Sequence, residues 1–319
     1  MKNSTLQALM LAIVLLLTVP ASVAEGAAAV HQLNHKGRTA VLIIDSKYSA
    51  DMNVQLIDWA EWISQALLQV FGHWPRNHWQ MTASPVSAGS PDPIPWAQIR
   101  RGDIDKIEFY TASHATSEEL IGAWTSYHEL SHLLIPYRGW GDLWFSEGLA
   151  TYYQNVIQAR VGLISEQEMW QEIYDGFLRG RATSGPANID LKTMSSELRQ
   201  KGGYMRVYWS GAWYFLAADL RLRQQSGGKR TLDTALEQLN RCCADKKMSV
   251  TEMVQTLDRE NKLLLFHPLF LDVRASTELP PFEDLFASMG ITIANGRVNL
   301  QSVGPGAELR SQIAARKAL

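Results

Sequence analysis

His128-Glu129-Leu130-Ser131-His132, followed closely by Asp142-Leu143-Trp144-Phe145-Ser146-Glu147-Gly148-Leu149-Ala150-Thr151-Tyr152-Tyr153, is the stretch on which the fold of this chain turns. On a helix, residues four apart share one face about one turn apart, so His128 and His132 can aim imidazole nitrogens at one point. Two imidazoles and a carboxylate, with a fourth position left for water, form a ligand set that zinc takes at catalytic sites. Glu129 sits beside that face, where a carboxylate can act as general base. Leu120, Ile121, Trp124, Leu130, Leu133 and Leu134 bury the remainder of this helix, and Pro136 ends it. Glu147 opens the next helix and is placed as third ligand. Leu143 and Trp144 pack it, and Gly148 admits the histidine helix at close range. One Zn²⁺ held by His128, His132 and Glu147 is the expectation.

Outward from this centre, the spacing of apolar residues divides the chain in two. Upstream, 39–45 reads as a buried strand, 53–71 as a helix ending at Gly72, 79–82 as a weak strand and 105–111 as an alternating strand. The small and polar residues 25–36 are expected to fray, and 84–95, with four prolines, to form a loop. Downstream of Ser117 the pattern is almost wholly helical: 118–134, 143–160, 165–178, 206–225, 231–239, 249–258, 262–271 and 281–288. This is an α+β order, with a strand-containing part over 25–115 and a helical, metal-binding part over 116–319.

These motifs resemble the gluzincin zinc metallopeptidases. The histidine pair followed by Trp144-x-x-Glu147-Gly148-x-Ala150-x-Tyr152 is most similar to the glycyl aminopeptidase-like family, with the aminopeptidase N/leukotriene hydrolase family a cousin. Val207-Tyr208-Trp209-Ser210-Gly211-Ala212 resembles that family's Tyr-x-Lys-Gly-Ala helix, and the segments 227–236 and 270–290 resemble its following turn and helical tail. The resemblance spans roughly 105–290. It implies a thermolysin-like catalytic domain, with a small N-terminal mixed sheet packed on a mainly helical C-terminal half. It implies hydrolysis of peptide bonds in a peptide or protein substrate, with Glu129 as base. It also implies that Tyr208 donates its hydroxyl to the developing oxyanion, Tyr204 being the alternative.

Two departures stand out. Ser210 occupies the position of the family's lysine, so any role of that ammonium is lost. The family's amine-anchoring Gly-Leu-Glu-His segment has only a partial counterpart in Ala112-Ser113-His114, and Glu108 is another candidate anion. Amino- and endopeptidase activity therefore both stay open. So does a catalytically degenerate protein that binds peptides or envelope components.

Composition agrees with an ordinary globular enzyme. The 319 residues carry 30 Lys+Arg against 32 Asp+Glu, a net charge of −2, which excludes the dense cationic face of a nucleic-acid binder. Two adjacent cysteines, Cys242-Cys243, make neither a disulfide scaffold nor a four-thiolate zinc site. They form a vicinal disulfide, pair with another chain, or stay as thiols. Lys2, the apolar run 9–19 and the small residues up to Ala24 have the layout of a signal peptide over 1–24. The run is about half the ~20 residues that span a bilayer, so no stable membrane anchor is expected after cleavage. The product is exported, to a bacterial periplasm or the medium; its oligomeric state is not legible. His31, His35, His73, His78 and His267 show no ligand spacing. Trp59, Trp62, Trp74 and Trp79 line a groove or fill the core, and the burial habits of aromatics favour the core.

Overall fold

Alternation of buried and half-exposed residues builds a sheet first. In order, the elements are β1 (Ala29–His35), β2 (Arg38–Ile44), α1 (Ala50–Phe71), β3 (His78–Pro85), β4 (Trp96–Arg100) and β5 (Asp105–Thr111). The computed structural model describes residues 28–86, 90–137, 141–183 and 188–318; the expected signal peptide lies outside them. The strand order is β1-β2-β3-β5-β4, with β2, β3 and β5 parallel and β1 and β4 antiparallel at the edges. Ala40, Leu42 and Ile44, then Trp79, Met81 and Ala83, then Ile107 and Phe109 point to one buried face. α1 connects the parallel pair β2 and β3 and covers the sheet with Leu56, Trp59, Ile63 and Leu67.

Helices follow: α2 (Ser117–Gly122), α3 (Trp124–Ser131), α4 (Leu143–Val161), α5 (Glu166–Ala182), α6 (Leu191–Ser196), α7 (Leu198–Lys201) and α8 (Tyr204–Ser226). After these come α9 (Leu232–Cys243), α10 (Val250–Asn261), α11 (Phe266–Arg274), α12 (Glu283–Ser288), the hairpin β6 (Ile291–Ala294) with β7 (Arg297–Leu300), and α13 (Pro305–Ala314). The α+β order expected from the sequence is what forms.

Several local readings needed correction. Residues 29–35, expected to fray, form an edge strand: Lys36-Gly37 turns with φ of 46° and 79°, and the strand contributes one core side chain, Leu33. The weak strand over 79–82 is longer and central in the sheet. β4 was not anticipated. The helix expected over 118–134 is broken at Ala123, whose ψ of 115° leaves the helical region. α2 starts on a Thr116/Glu119 capping box, and α3 passes into a 3₁₀ turn over His132–Leu134. The helical tail gives way to β6 and β7 across Asn295-Gly296.

Two contacts join the layers. Trp59 of α1 meets Phe109 of β5 edge-on at 4.9 Å, and its indole N–H donates to Ser126 Oγ of α3 at 3.0 Å. α4 and α8 then cross at Gly148 and Gly211. A Cβ on Gly148 would overlap the Gly211 Cα, and one on Gly211 would overlap the Trp144 carbonyl. The sequence reading had assigned Gly148 to close approach of the histidine helix. The structure puts α8 there instead.

The far side of α4 is held by buried charge. Tyr153 donates to Asp233 Oδ1 at 2.7 Å, while Asp233 Oδ2 pairs with Arg160 at 3.0 Å and Lys317 at 2.8 Å. Tyr152 donates to Asp219, which pairs with Arg223 at 2.9 Å. Burial alone would raise the Asp233 carboxyl, but the Arg160 and Lys317 charges outweigh it and hold it below its ordinary value.

Gly148→Ala is expected to destabilise the protein by roughly 2–3 kcal/mol, through overpacking against backbone that cannot yield. Gly122→Ala, where no atom stands within 4 Å, should stay within about 1 kcal/mol of wild type. Urea unfolding of the two variants measures the difference. Asp233→Asn should cost about 3–5 kcal/mol at neutral pH, chiefly by stranding the buried Arg160, with half-exposed Lys317 losing its partner as well. A depressed carboxyl contributes stability above its unfolded pKa of 3.8 and loses it as pH falls through the native value. The gap between wild type and variant should therefore close below pH 3.8, which a pH series of the same unfolding curves would reveal.

Candidate metal centre and active site

The break at Ala123 re-aims α3 so that its histidine face meets the start of α4. His128 and His132 are both buried, their ring centroids 5.1 Å apart and nearly perpendicular. Glu147 Oε2 lies 3.2 Å from His128 Nε2 and 3.7 Å from His132 Nε2. A second carboxylate, Glu129, has an oxygen within 4.8 Å of both imidazoles. Contact separates the two acids. Glu147 faces both Nε2 atoms directly, whereas Glu129 accepts the backbone N–H of Ile99 on β4.

The opposite nitrogen of each imidazole is also occupied. His128 Nδ1 stands 2.8 Å from Gln154 Oε1, and His132 Nδ1 stands 3.0 Å from Ser146 Oγ. An amide oxygen only accepts, so His128 carries a proton on Nδ1, which leaves Nε2 as the nitrogen available to a metal once it gives up any proton it shares with Glu147. Both partners come from α4, as does Glu147, so one helix supplies an acid and orients both histidines. Arg101 donates to the His132 carbonyl and to Asp105 at 2.9 Å, fixing the end of α3. Neither Gln154 nor Ser146 was singled out from the sequence, though Gln154 is two turns from Glu147 on the same face.

Tyr208 of α8 closes the site. Its ring stacks at 5.9 Å on His128, and its hydroxyl is within hydrogen-bonding reach of the Glu147 carboxylate. Tyr204, one turn earlier, is 45% exposed and does not line the cleft. Glu108 is engaged by Lys106, Arg100 and Gln98, and neither it nor His114 lines the cleft. The cleft itself encloses about 540 Å³ between β4, α3, the start of α4 and Tyr208.

Electrostatics splits the group. Burial lifts Glu129 to about 7, with His128 opposing and Glu147 adding to the rise. Burial would also raise Glu147, but His132 and His128 hold it below the usual carboxylate value. Desolvation depresses His132 to about 3, while Glu147 overcomes the same penalty at His128 and raises it. Burial and the charges of Glu147 and Glu129 push the Tyr208 hydroxyl well up, so it stays protonated. Two convergent imidazole nitrogens and an ionised carboxylate in a buried pocket fit a zinc ion by donor chemistry.

Other features resolve more simply. Trp59, Trp74 and Trp79 are core residues, and Trp62 is 42% exposed. Trp144, expected to pack Glu147, is fully buried, stacks on Phe270 at 5.6 Å and donates to Asp142; it packs the base of α4 and does not line the cleft. Cys242 and Cys243 are joined to each other as a vicinal disulfide.

Comparison with known proteins converges on this architecture. The model of a family described as M61 glycyl aminopeptidase matches residues 139–219, a segment that contains Glu147 and Tyr208. No curated protein sequence matches the chain. Among solved structures, an aminopeptidase N family protein from Idiomarina loihiensis is similar over 83% of this chain and 49% of that one, with TM-score 0.58 and 16% identity. An M1 zinc metallopeptidase from Deinococcus radiodurans is similar over 81% of this chain and 52% of its own, with TM-score 0.53 and 18% identity. Native yeast LTA4 hydrolase is similar over 79% of this chain and 40% of its own, with TM-score 0.53 and 11% identity. The chain thus spans about half the length of the first two structures. The fold is the one these structures share over the matched portion, and the gluzincin resemblance read from the sequence is borne out at that level.

Gln154→Leu should weaken zinc binding by about 10–100-fold, the usual cost of losing a histidine's orienting partner. Gln154→Glu, which keeps an acceptor, should retain most of it. Competition against a chromophoric chelator measures both.

Proposed function

We propose that this chain is an exported zinc-dependent peptidase. The observation that carries the reading is the meeting of two imidazole Nε2 atoms and Glu147 Oε2 in one cleft that Glu129 and Tyr208 also border. His128, His132 and Glu147 would hold the ion, and residues 25–319 would form one catalytic unit after loss of 1–24. When bound, zinc polarises the scissile carbonyl and acidifies water.

The remaining steps belong to the chain. Glu129, tuned near neutrality and held by the Ile99 N–H, takes the proton of the attacking water and returns it to the leaving amine. Tyr208, kept protonated, donates to the oxyanion as it develops. β4 is an edge strand and lines the cleft, so an extended peptide can lie along it as an added strand. The partner on this reading is a peptide or protein substrate. Among the described residues, no helix is long and apolar enough to cross a membrane.

Ser210 supports a second reading, a peptide-binding protein without turnover. It is fully buried at the position where the resembled family has lysine, and its Oγ has no hydrogen-bond partner.

Zinc content and peptide cleavage separate the two. Glu129→Gln should bind stoichiometric zinc while losing about 10²–10⁴-fold in turnover. Tyr208→Phe should lose about 10²–10³-fold in kcat with KM nearly unchanged, as for removal of one oxyanion donor. A Glu129→Gln protein that still cleaves peptides sinks the mechanism, and zinc-loaded wild type that cleaves none leaves the binding reading.

A further inference from the structure

A second cavity of about 460 Å³ abuts the metal cleft and shares His128 and Tyr208 with it. The candidate ligands therefore sit between two chambers, one beside β4 and one among α3, α4, α5 and α8. The two differ in chemistry.

On the strand side, the carboxylates lining the cleft among the described residues are Glu129 and Glu147. Both have roles already: one is the proposed base, the other the proposed ligand. The other charged residues on that wall are Arg100 and Arg101, whose acid partners Glu108 and Asp105 do not line the cleft. A substrate α-ammonium held there would meet guanidinium groups and no free carboxylate, and a desolvated charge without a partner is costly.

On the helix side, Trp124, Ile164, Met205 and Trp209 line the chamber. Trp124 is 52% exposed, and Arg179 lies over the Trp209 ring at 5.4 Å. Glu172 is the carboxylate of that chamber, with Arg179 lining it as well.

Taking the peptidase reading as given, we propose that the site cleaves internal peptide bonds, an endopeptidase arrangement. A large apolar side chain enters the helix-side chamber, and no amino terminus is anchored. The chain continues through both chambers, with neutral or acidic residues favoured along the Arg100–Arg101 wall.

Paired peptides test this: one series with free termini, the other N-acetylated and C-amidated, each presenting Phe, Leu, Lys or Glu around a central bond. With zinc-loaded wild type and mass-spectrometric detection, blocked peptides should be cleaved internally about as well as free ones. The bond cut should lie at a fixed position relative to Phe or Leu. Met205→Glu should lower kcat/KM for the Phe and Leu peptides by at least about tenfold, as expected for spoiling an apolar pocket. Zinc-loaded Glu129→Gln supplies a readout without turnover: blocked Phe peptides should change the fluorescence of Trp124 and Trp209, and Met205→Glu added to that variant should abolish the change.

Cleavage confined to the first residue of free peptides overturns the inference, as does a free-amine preference that vanishes in Glu172→Gln. If neither series is cut, the peptidase reading itself fails, and the fluorescence titration decides the rest. Binding of blocked Phe peptides then upholds the apolar chamber, and binding of free-amine peptides alone refutes it.

Discussion

The crossing of α4 and α8 at Gly148 and Gly211 is the constraint on which the site depends. Either glycine, given a side chain, would collide with the backbone of the other helix. Glu147 is the residue before one glycine, and Tyr208 is one turn before the other. Backbone contact at the crossing therefore sets how near the tyrosine hydroxyl comes to the carboxylate. Helices with ordinary side chains at their contact pack ~8–10 Å apart. At that separation Tyr208 would stand back from the acid, and the strand-side cleft and the helix-side chamber would not share it as a wall.

A crossing this close needs a helix that does not shift, and α4 is clamped at both ends. At its start, Asp142 adopts φ of 56° and accepts from the Trp144 indole and Arg274. Further along, Tyr152 and Tyr153 reach the Asp219 and Asp233 clusters, and Arg160 ties the last turn to Asp233 and to the Gln69 and Ile313 carbonyls. A buried ion pair is a poor source of net stability, since desolvation of both charges offsets most of their attraction. What these pairs provide is position. They fix the rotation of α4, and that rotation sets where Glu147, Ser146 and Gln154 point.

The histidine pair was legible because its geometry is local: a spacing of four residues suffices on any helix. Glu147 and Tyr208 were legible through motif context, and burial of Trp144 followed from the same context. Gln154 and Ser146 carry the same helical logic but no distinctive residue chemistry, since amides and hydroxyls are common on any helix. β4 was hidden because Trp96-Ala97-Gln98-Ile99-Arg100 is too short to display alternation, and its strand character comes from pairing with β5. β1 is a strand through its hairpin with β2 and buries a single apolar residue deeply. The kink at Ala123 follows Gly122, but the apolar spacing that runs on across both residues hides it; the Thr116/Glu119 capping box starts the short helix before it. The hairpin at Asn295-Gly296 was a strong local turn signal that the surrounding helical pattern obscured.

The two carboxylates of the site show why residue type alone does not assign roles. Glu129 and Glu147 are both buried deeply, and burial pushes each toward the neutral acid. Glu147 touches both imidazoles, and these contacts hold it below the usual carboxylate value, in the ionised state that a metal ligand needs. Burial is the main reason Glu129 stays high; His128 opposes it, and the charge of Glu147 adds a smaller rise. The pairing that makes one acid a good ligand thus helps make its neighbour a good proton acceptor and donor near neutrality. Moving Glu147 away from the histidines would weaken both effects at once.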